Sequence, residues 1–295
     1  MMRDFFNYTM LLVSIVLFNI DTIAQVNINN NVLDGAYVRE TNRTKRVIPY
    51  PHLREADVMY FKRVWQEIDL RQKINHPYYF PVEPIKDRKN LFDVIKQGLL
   101  TDGSLIAYST GIMGDDDEFS EALSRDSVER LLMNIETKPI VDLDDDSPTY
   151  GEVIGTETIE VPIESYDIVR YQIKEDWIWD RQRSERYIRI IGIAPIYQKK
   201  DDEGEIQGLS PLFWLYYPEC RYVFAHSDVF NLFNDAQRRT YEDLFQKRYF
   251  SSYIIKESNV HDRLIKDYAR GMDALIESER IKEELFLLEH DLWHY

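Results

Sequence analysis

Between Ile168 and Ile193 the chain alternates between apolar and polar side chains. Val169, Tyr171 and Ile173 are interleaved with Arg170, Gln172 and Lys174, and Trp177 and Trp179 keep the same phase. A period of two marks a strand with one buried face. The polar break at residues 180–185, followed by Tyr187 to Ile193, predicts a hairpin. Leu212 to Tyr217 and Tyr222 to Ala225 read as further strands, parted by Pro218. Elsewhere the apolar spacing is three to four. Val58, Phe61, Trp65 and Ile68 predict a helix from Glu55 to about Lys73. Leu91 to Leu100 predicts a short helix with Asn90 as its cap. The last third reads as helical on Tyr241, Leu244, Phe245 and Tyr249, then Leu264, Tyr268, Met272 and Leu275, and after a kink Ile281, Leu285 and Leu288. The expected fold is α+β: a small antiparallel strand cluster packed by helices, long C-terminal helices and an extended N-terminal arm.

The ends of this pattern set the domain expectations. Met10 to Ile20 is apolar but too short to span a bilayer, and Thr22 and Ala24 place small residues before Gln25. Residues 1–24 therefore read as a secretory signal peptide. Residues 25–52 mix Asn, Thr and basic groups without helical period and read as an extended arm, with Tyr37, Val38, Val47, Ile48 and Tyr50 as its apolar anchors. The α+β domain is expected over 53–295. In 295 residues, 44% of them hydrophobic, there is enough material for one sizeable core. Cys220 is the single cysteine, so no internal disulfide forms, and its aromatic neighbours suggest a small buried residue.

Charge changes the picture at one place. The formal net charge is −16, and residues 115–167 alone hold 17 Asp and Glu against Arg125, Arg130 and Lys138. This acidic excursion, at about 115–165, repels polyphosphate and anionic lipid, which argues against nucleic-acid and membrane-surface binding, and no segment after residue 24 is long and apolar enough to suggest direct membrane insertion. It reads either as a solvated segment or as a surface for a basic partner, with Asp142, Asp144, Asp145 and Asp146 as the densest group.

Candidate chemistry is sparse. His290 and His294 are four apart but have no third ligand at a telling distance. The runs Asp115 to Glu118 and Asp142 to Asp146 lack the Gly and distal Glu of a calcium loop. The chain has no Gly-rich phosphate loop and no nucleophile elbow, so no cofactor is expected. Aromatic residues make up 13% of the chain, 20 of them Tyr, and cluster at Tyr78 to Phe80, Trp177 with Trp179, and Phe213 to Tyr217. Such clusters serve cores and interfaces alike. Residues alone thus leave three readings: an assembly subunit, an exported hydrolase whose site is formed by distant residues, and a carbohydrate-binding module.

Longer runs carry a resemblance. Residues 212–253 (LFWLYYPECRYVFAHSDVFNLFNDAQRRTYEDLFQKRYFSSY) and 53–81 (LREADVMYFKRVWQEIDLRQKINHPYYFP), with YIRIIGIAP at 187–195 and the run 268–293, resemble the GldN/PorN family. The resemblance implies a non-enzymatic periplasmic subunit of the type IX secretion and gliding-motility machinery of Bacteroidetes. It further implies self-association in a ring, a ring-forming outer-membrane lipoprotein (GldK/PorK-like) that holds the chain at the outer membrane, and contact with the periplasmic part of the inner-membrane motor (GldM/PorM-like). The family-like positions are Arg54, Glu55, Asp57, Trp65, Asp69 and Arg71 in the first expected helix, and Tyr217 to Arg221 in the strand turn. Asp69 and Arg71 do not share a helix face, so one of them is expected to point to a partner.

Overall fold

The alternating run of residues 168–180 forms the centre of a seven-stranded antiparallel sheet. The computed structural model describes residues 45–85, 88–111, 114, 116–141, 153–200, 206–231, 234 and 236–292, within a compact unit from Lys45 to Tyr295. The expected signal peptide lies outside the described residues. In chain order the elements are β1 (Val58–Asp69), α1 (His76–Tyr79), α2 (Leu91–Leu100), β2 (Ala107–Tyr108), α3 (Arg125–Leu131), β3 (Met133–Val141) and β4 (Val153–Pro162). There follow β5 (Ile168–Asp180), β6 (Glu185–Lys200), β7 (Ile206–Pro211), β8 (Trp214–Tyr216), α4 (Tyr217–His226), β9 (Asp228–Val229), β10 (Arg239–Thr240), α5 (Tyr241–Gln246), β11 (Tyr253–Glu257) and α6 (Met272–Leu292). The main sheet runs β11-β1-β5-β6-β8-β2, and β7 pairs with the far end of β6.

Antiparallel register assigns every strand residue to a face, because directly opposed residues share one. Ile68 opposes Tyr171, Gln66 opposes Ile173, and Val64 opposes Glu175. On this face Ile68, Tyr171, Ile173 and Ile193 pack under α2, α4 and α5 through Phe92, Ile95, Phe224 and Phe245. Further along the same face, Val64, Trp177, Trp179 and Ile254 pack under α6 through Ile281 and Leu285. The opposite face carries Trp65, Ala194 and Trp214, with Phe119 packed against them.

The α+β class and the hairpin of β5 and β6 agree with the sequence, as does α2, where Asn90 accepts a hydrogen bond from the Asp93 amide. The expected helix at 55–73 is instead β1. Its Val, Tyr, Phe, Trp and Ile residues favour a strand, and its second half is covered on both faces while Phe61 near its start is an exposed apolar residue, so strict alternation is lost and the apolar spacing imitates a helix. Tyr222 to Ala225 lie in α4, not a strand, because Pro218 occupies the first turn of a helix, where its missing amide donor costs nothing. In the last third Tyr249 falls after α5, and β11 intervenes as a strand. Leu264 and Tyr268 flank a short 3-10 turn at Ile265–Asp267. α6 is the one long helix of that region among the described residues, and Met272 and Leu275, which marked its helical spacing in the sequence, are exposed on it.

β3 and β4 form a separate two-stranded hairpin. The Ile163 amide donates to Leu132 O at 2.8 Å, so Leu132 and Ile163 are a hydrogen-bonded pair and the ladder alternates from there. By that count Pro139, opposite Thr156, and Pro162, opposite Met133, occupy positions whose nitrogen points out of the ladder. Two prolines are thereby accommodated without losing a ladder bond.

A buried polar contact joins α6 to the edge strand β11: Ser278 accepts a hydrogen bond from the Ile254 amide at 2.8 Å. Ser278→Ala should leave that amide without its acceptor and lower stability by about 1–3 kcal/mol. A urea midpoint shifted down at unchanged slope would show this; an unchanged midpoint would mean that water replaces the hydroxyl.

Candidate interaction surface

Three consecutive ionisable residues of β5 are buried: Lys174, Glu175 and Asp176. Alternation sends Glu175 to one face and its two neighbours to the other. Glu175 lies between the two apolar cores and accepts from Arg248 Nη1 at 2.7 Å, Gln66 Nε2 at 2.9 Å and Trp177 Nε1 at 3.2 Å. On the other face Asp176 accepts a two-pronged contact from Arg63, at 2.7 and 3.0 Å.

Lys174 fastens part of the acidic excursion. Its ammonium donates to Asp117 O at 2.7 Å, stands 3.2 Å from the Asp117 carboxylate, and lies over the rings of Trp65 and Phe119. Trp65 Nε1 also donates to Asp117. Phe119 adopts a left-handed backbone (φ 58) and fits edge-on against Tyr108, Trp214 and Tyr216. Gly192 makes the space, since a Cβ there would stand 2.7 Å from the Phe119 ring. Burial pushes the Lys174 ammonium below the usual lysine range, opposed by Asp117. The acidic run is thus not wholly solvated: at Asp117 it is a structural ion pair.

Residues 45–51 lie along the domain without regular structure. Lys45 donates to Thr240 Oγ1 at 2.7 Å and pairs with Asp243 at the start of α5. Arg221 of α4, itself buried, donates to Ile48 O at 2.7 Å and lies 4.3 Å from the centre of the Tyr50 ring. Glu242 holds that guanidinium at 2.7–2.8 Å and accepts from Tyr217 Oη at 3.0 Å. Tyr50 therefore packs within its own chain, with Arg189 as a second cationic neighbour.

The other sequence candidates divide. Asp69 and Arg71 form an ion pair with each other at 2.5 Å, because the chain turns at the end of β1 and brings Arg71 back; the expectation that one of them points away is corrected. That hydrogen-bonded guanidinium holds the Asp69 carboxyl below the usual carboxylate range. Arg54 is exposed, and its carbonyl accepts the Asp57 amide at 3.0 Å. Tyr37, Val38, Asp142, Asp144, Asp145 and Asp146 lie outside the described residues, the last four in the stretch that joins β3 to β4. Sequence reasoning missed Lys174, Glu175 and Glu242, which look like ordinary surface residues until their partners arrive from distant segments.

Little of this suits catalysis. Among the described residues no group of three or more His, Cys, Asp or Glu is placed to hold a metal. A cleft of about 380 Å³ is lined by Ser109, Thr110, Ser127 and Arg130 over a floor of leucines, without imidazole, carboxylate or thiol. Cys220 is buried, and burial raises its thiol far above the reactive range. Trp177, Trp179, Phe213, Trp214 and Tyr217 are all core residues, so these pairs form no sugar-binding platform. No described helix is long and apolar enough to cross a membrane.

Two outcomes follow from the ion pairs. Lys174→Met should cost about 2–4 kcal/mol, since Asp117 is left without its cation, while Arg54→Ala should stay within about 0.5 kcal/mol. Denaturant curves check both, and tryptophan emission should report release of the loop beside Trp65. For Asp69, the lowered folded pKa means that its stabilisation is present above the unfolded value, about 3.9, and is lost as pH falls through the folded one. The stability gap between wild type and Asp69→Asn should therefore close below about pH 4; a gap constant down to pH 2 would contradict it.

No curated protein matches the chain. The family model described as gliding motility associated protein GldN matches residues 53–294, the stretch that contains β1 to α6. With most of its length covered by that match, the chain belongs to the GldN family.

Proposed function

We propose that the chain is a non-enzymatic structural subunit of the type IX secretion and gliding-motility complex. In this reading residues 1–24 are removed on export and residues 53–295 form the working domain. The subunit builds a periplasmic ring with an outer-membrane lipoprotein (GldK/PorK-like), which keeps it at the outer membrane, and couples that ring to the periplasmic part of the inner-membrane motor (GldM/PorM-like). The family match over 53–294 carries the proposal. Two features of the chain support it. Among the described residues the buried ion pairs Lys174–Asp117, Arg221–Glu242 and Arg248–Glu175 fix segments to one another. In the sequence Asp142, Asp144, Asp145 and Asp146 fall between β3 and β4, and so dense a negative run suits a basic partner.

The arm before Lys45, with Tyr37 and Val38, and the carboxylates Asp142, Asp144, Asp145 and Asp146 are the contact sites in this reading. Its test is affinity purification of the tagged chain from the native cell envelope. The expected result is a large assembly containing a lipoprotein in ring stoichiometry. Replacing the four aspartates by Asn should lower recovery of the motor protein, more so at low salt than at high salt, since charge attraction is screened beyond about 8–10 Å. Recovery of the chain alone, as a soluble monomer, would sink the proposal.

A further inference from the structure

A surface helix ordinarily buries one apolar stripe. α6 carries two. Advancing 100° per residue, Ala274, Ser278, Ile281, Leu285 and Leu288 fall on one side, and Ile281, Ser278 and Leu285 are buried against β11 and the second core. On the opposite side, within about 60° of a common line, stand Met272, Leu275, Ile276, Phe286 and Leu287. These five are 49–70% exposed. Single exposed apolar residues are ordinary, but five large ones along one line of a 21-residue helix are not.

The stripe is in two parts. Met272, Leu275 and Ile276 form one end, and Phe286 and Leu287 the other, about 18 Å away at 1.5 Å per residue. Between them on the same line lie Glu279 and Glu283. Glu279 has only a loose, exposed contact with Lys282 at 3.6 Å, which leaves its carboxylate free to turn elsewhere. Of the two neighbouring cations, Arg280 is held to the side by Glu277 and Glu284, and Lys282 stands about 80° off the line.

This arrangement selects its occupant. In an antiparallel pair of two α6 helices, Glu279 would face Glu283 of the second copy; in a parallel pair each would face itself. Either way carboxylates meet at the centre of the seam. An anionic lipid surface is disfavoured for the same reason, because helices that lie on membranes place Lys and Arg there. What complements the stripe is a protein helix with two cations, three or four residues apart, flanked by apolar residues at both ends. We infer that the outer face of α6 is a docking site for such a basic-centred amphipathic helix of another protein. This deepens the assembly proposal, on which it rests for the existence of a partner, and assigns that partner's binding element.

The test is photo-crosslinking in native cells, with p-benzoylphenylalanine placed at Ile276 or Phe286 and, as control, at Tyr222 of α4, which is also exposed. Both α6 positions should crosslink to one segment of one protein, identified by mass spectrometry, with Lys or Arg between its apolar residues. Tyr222 should not give that product. Glu279→Lys combined with Glu283→Lys should cut both products roughly tenfold, through reversal of charge pairs at a desolvated seam, with melting unchanged. Adducts to a second copy, to lipid, or to a segment without paired cations would overturn the inference. So would no adduct from either position in cells where the tagged chain still co-purifies with its envelope assembly. In that case the assembly proposal would stand and only the docking face would fall; loss of the assembly in wild-type cells would instead remove the proposal beneath it.

Discussion

The arrangement of the domain depends on how β5 carries Lys174, Glu175 and Asp176 through its interior. Burying an isolated charge costs several kcal/mol even after relaxation, so each must meet a partner brought from elsewhere in the chain. Glu175 draws in Arg248, which follows α5, and Gln66 from β1. Asp176 draws in Arg63 from β1, and Lys174 draws in the loop at Asp117. Three segments far apart in sequence are thus tied to one short stretch of strand. Register follows from the same condition, because a one-residue slip of β1 against β5 would send Gln66 and Arg63 to the wrong faces and take a partner from both Glu175 and Asp176.

These pairs also explain why one sheet supports two cores on the same face. The cluster under α2, α4 and α5 and the cluster under α6 would merge if Gln66 and Glu175 were apolar. The polar seam between them instead gives each helix group a separate seat. α6 is then attached by a modest set of contacts: Ile281 and Leu285 in the smaller core, the Ser278 hydroxyl on β11, and the Arg186 to Glu289 ion pair. A helix held on one side by so few groups keeps its remaining surface available.

Much of this was legible in the sequence, and the failures share a cause. The β5 and β6 hairpin and the Asn90-capped α2 were readable because each obeys a local rule, alternation in one case and a cap before an apolar run in the other. β1 was misread because its second half is covered on both faces and its first half exposes Phe61, so the period of two is lost and Val58, Phe61, Trp65 and Ile68 happen to fall at helical spacing. Pro218 was taken for a strand boundary when it opens a helix. The ion pairs were not readable at all: Lys174 and Asp117, or Arg221 and Glu242, are joined by folding, and nothing at either position marks the other. Met272 and Leu275 were read only as marks of a helix, and they prove to be exposed on α6, because periodicity shows that a face is apolar without showing what covers it.

The same distinction separates stability from recognition in this chain. Inside the domain, charges are paired at short range, where salt screens them little. The remaining acidic groups of residues 115–167 are a different population: that run holds most of the formal net charge, and a field of one sign bears on what approaches the molecule more than on whether it folds. α6 combines both kinds of interaction on one element, with a buried stripe that belongs to the fold and an outer stripe whose apolar ends bracket carboxylates. In the assembly role proposed for it, the chain would need that separation, because contacts could then form and part while the buried ion pairs keep the sheet and its register intact.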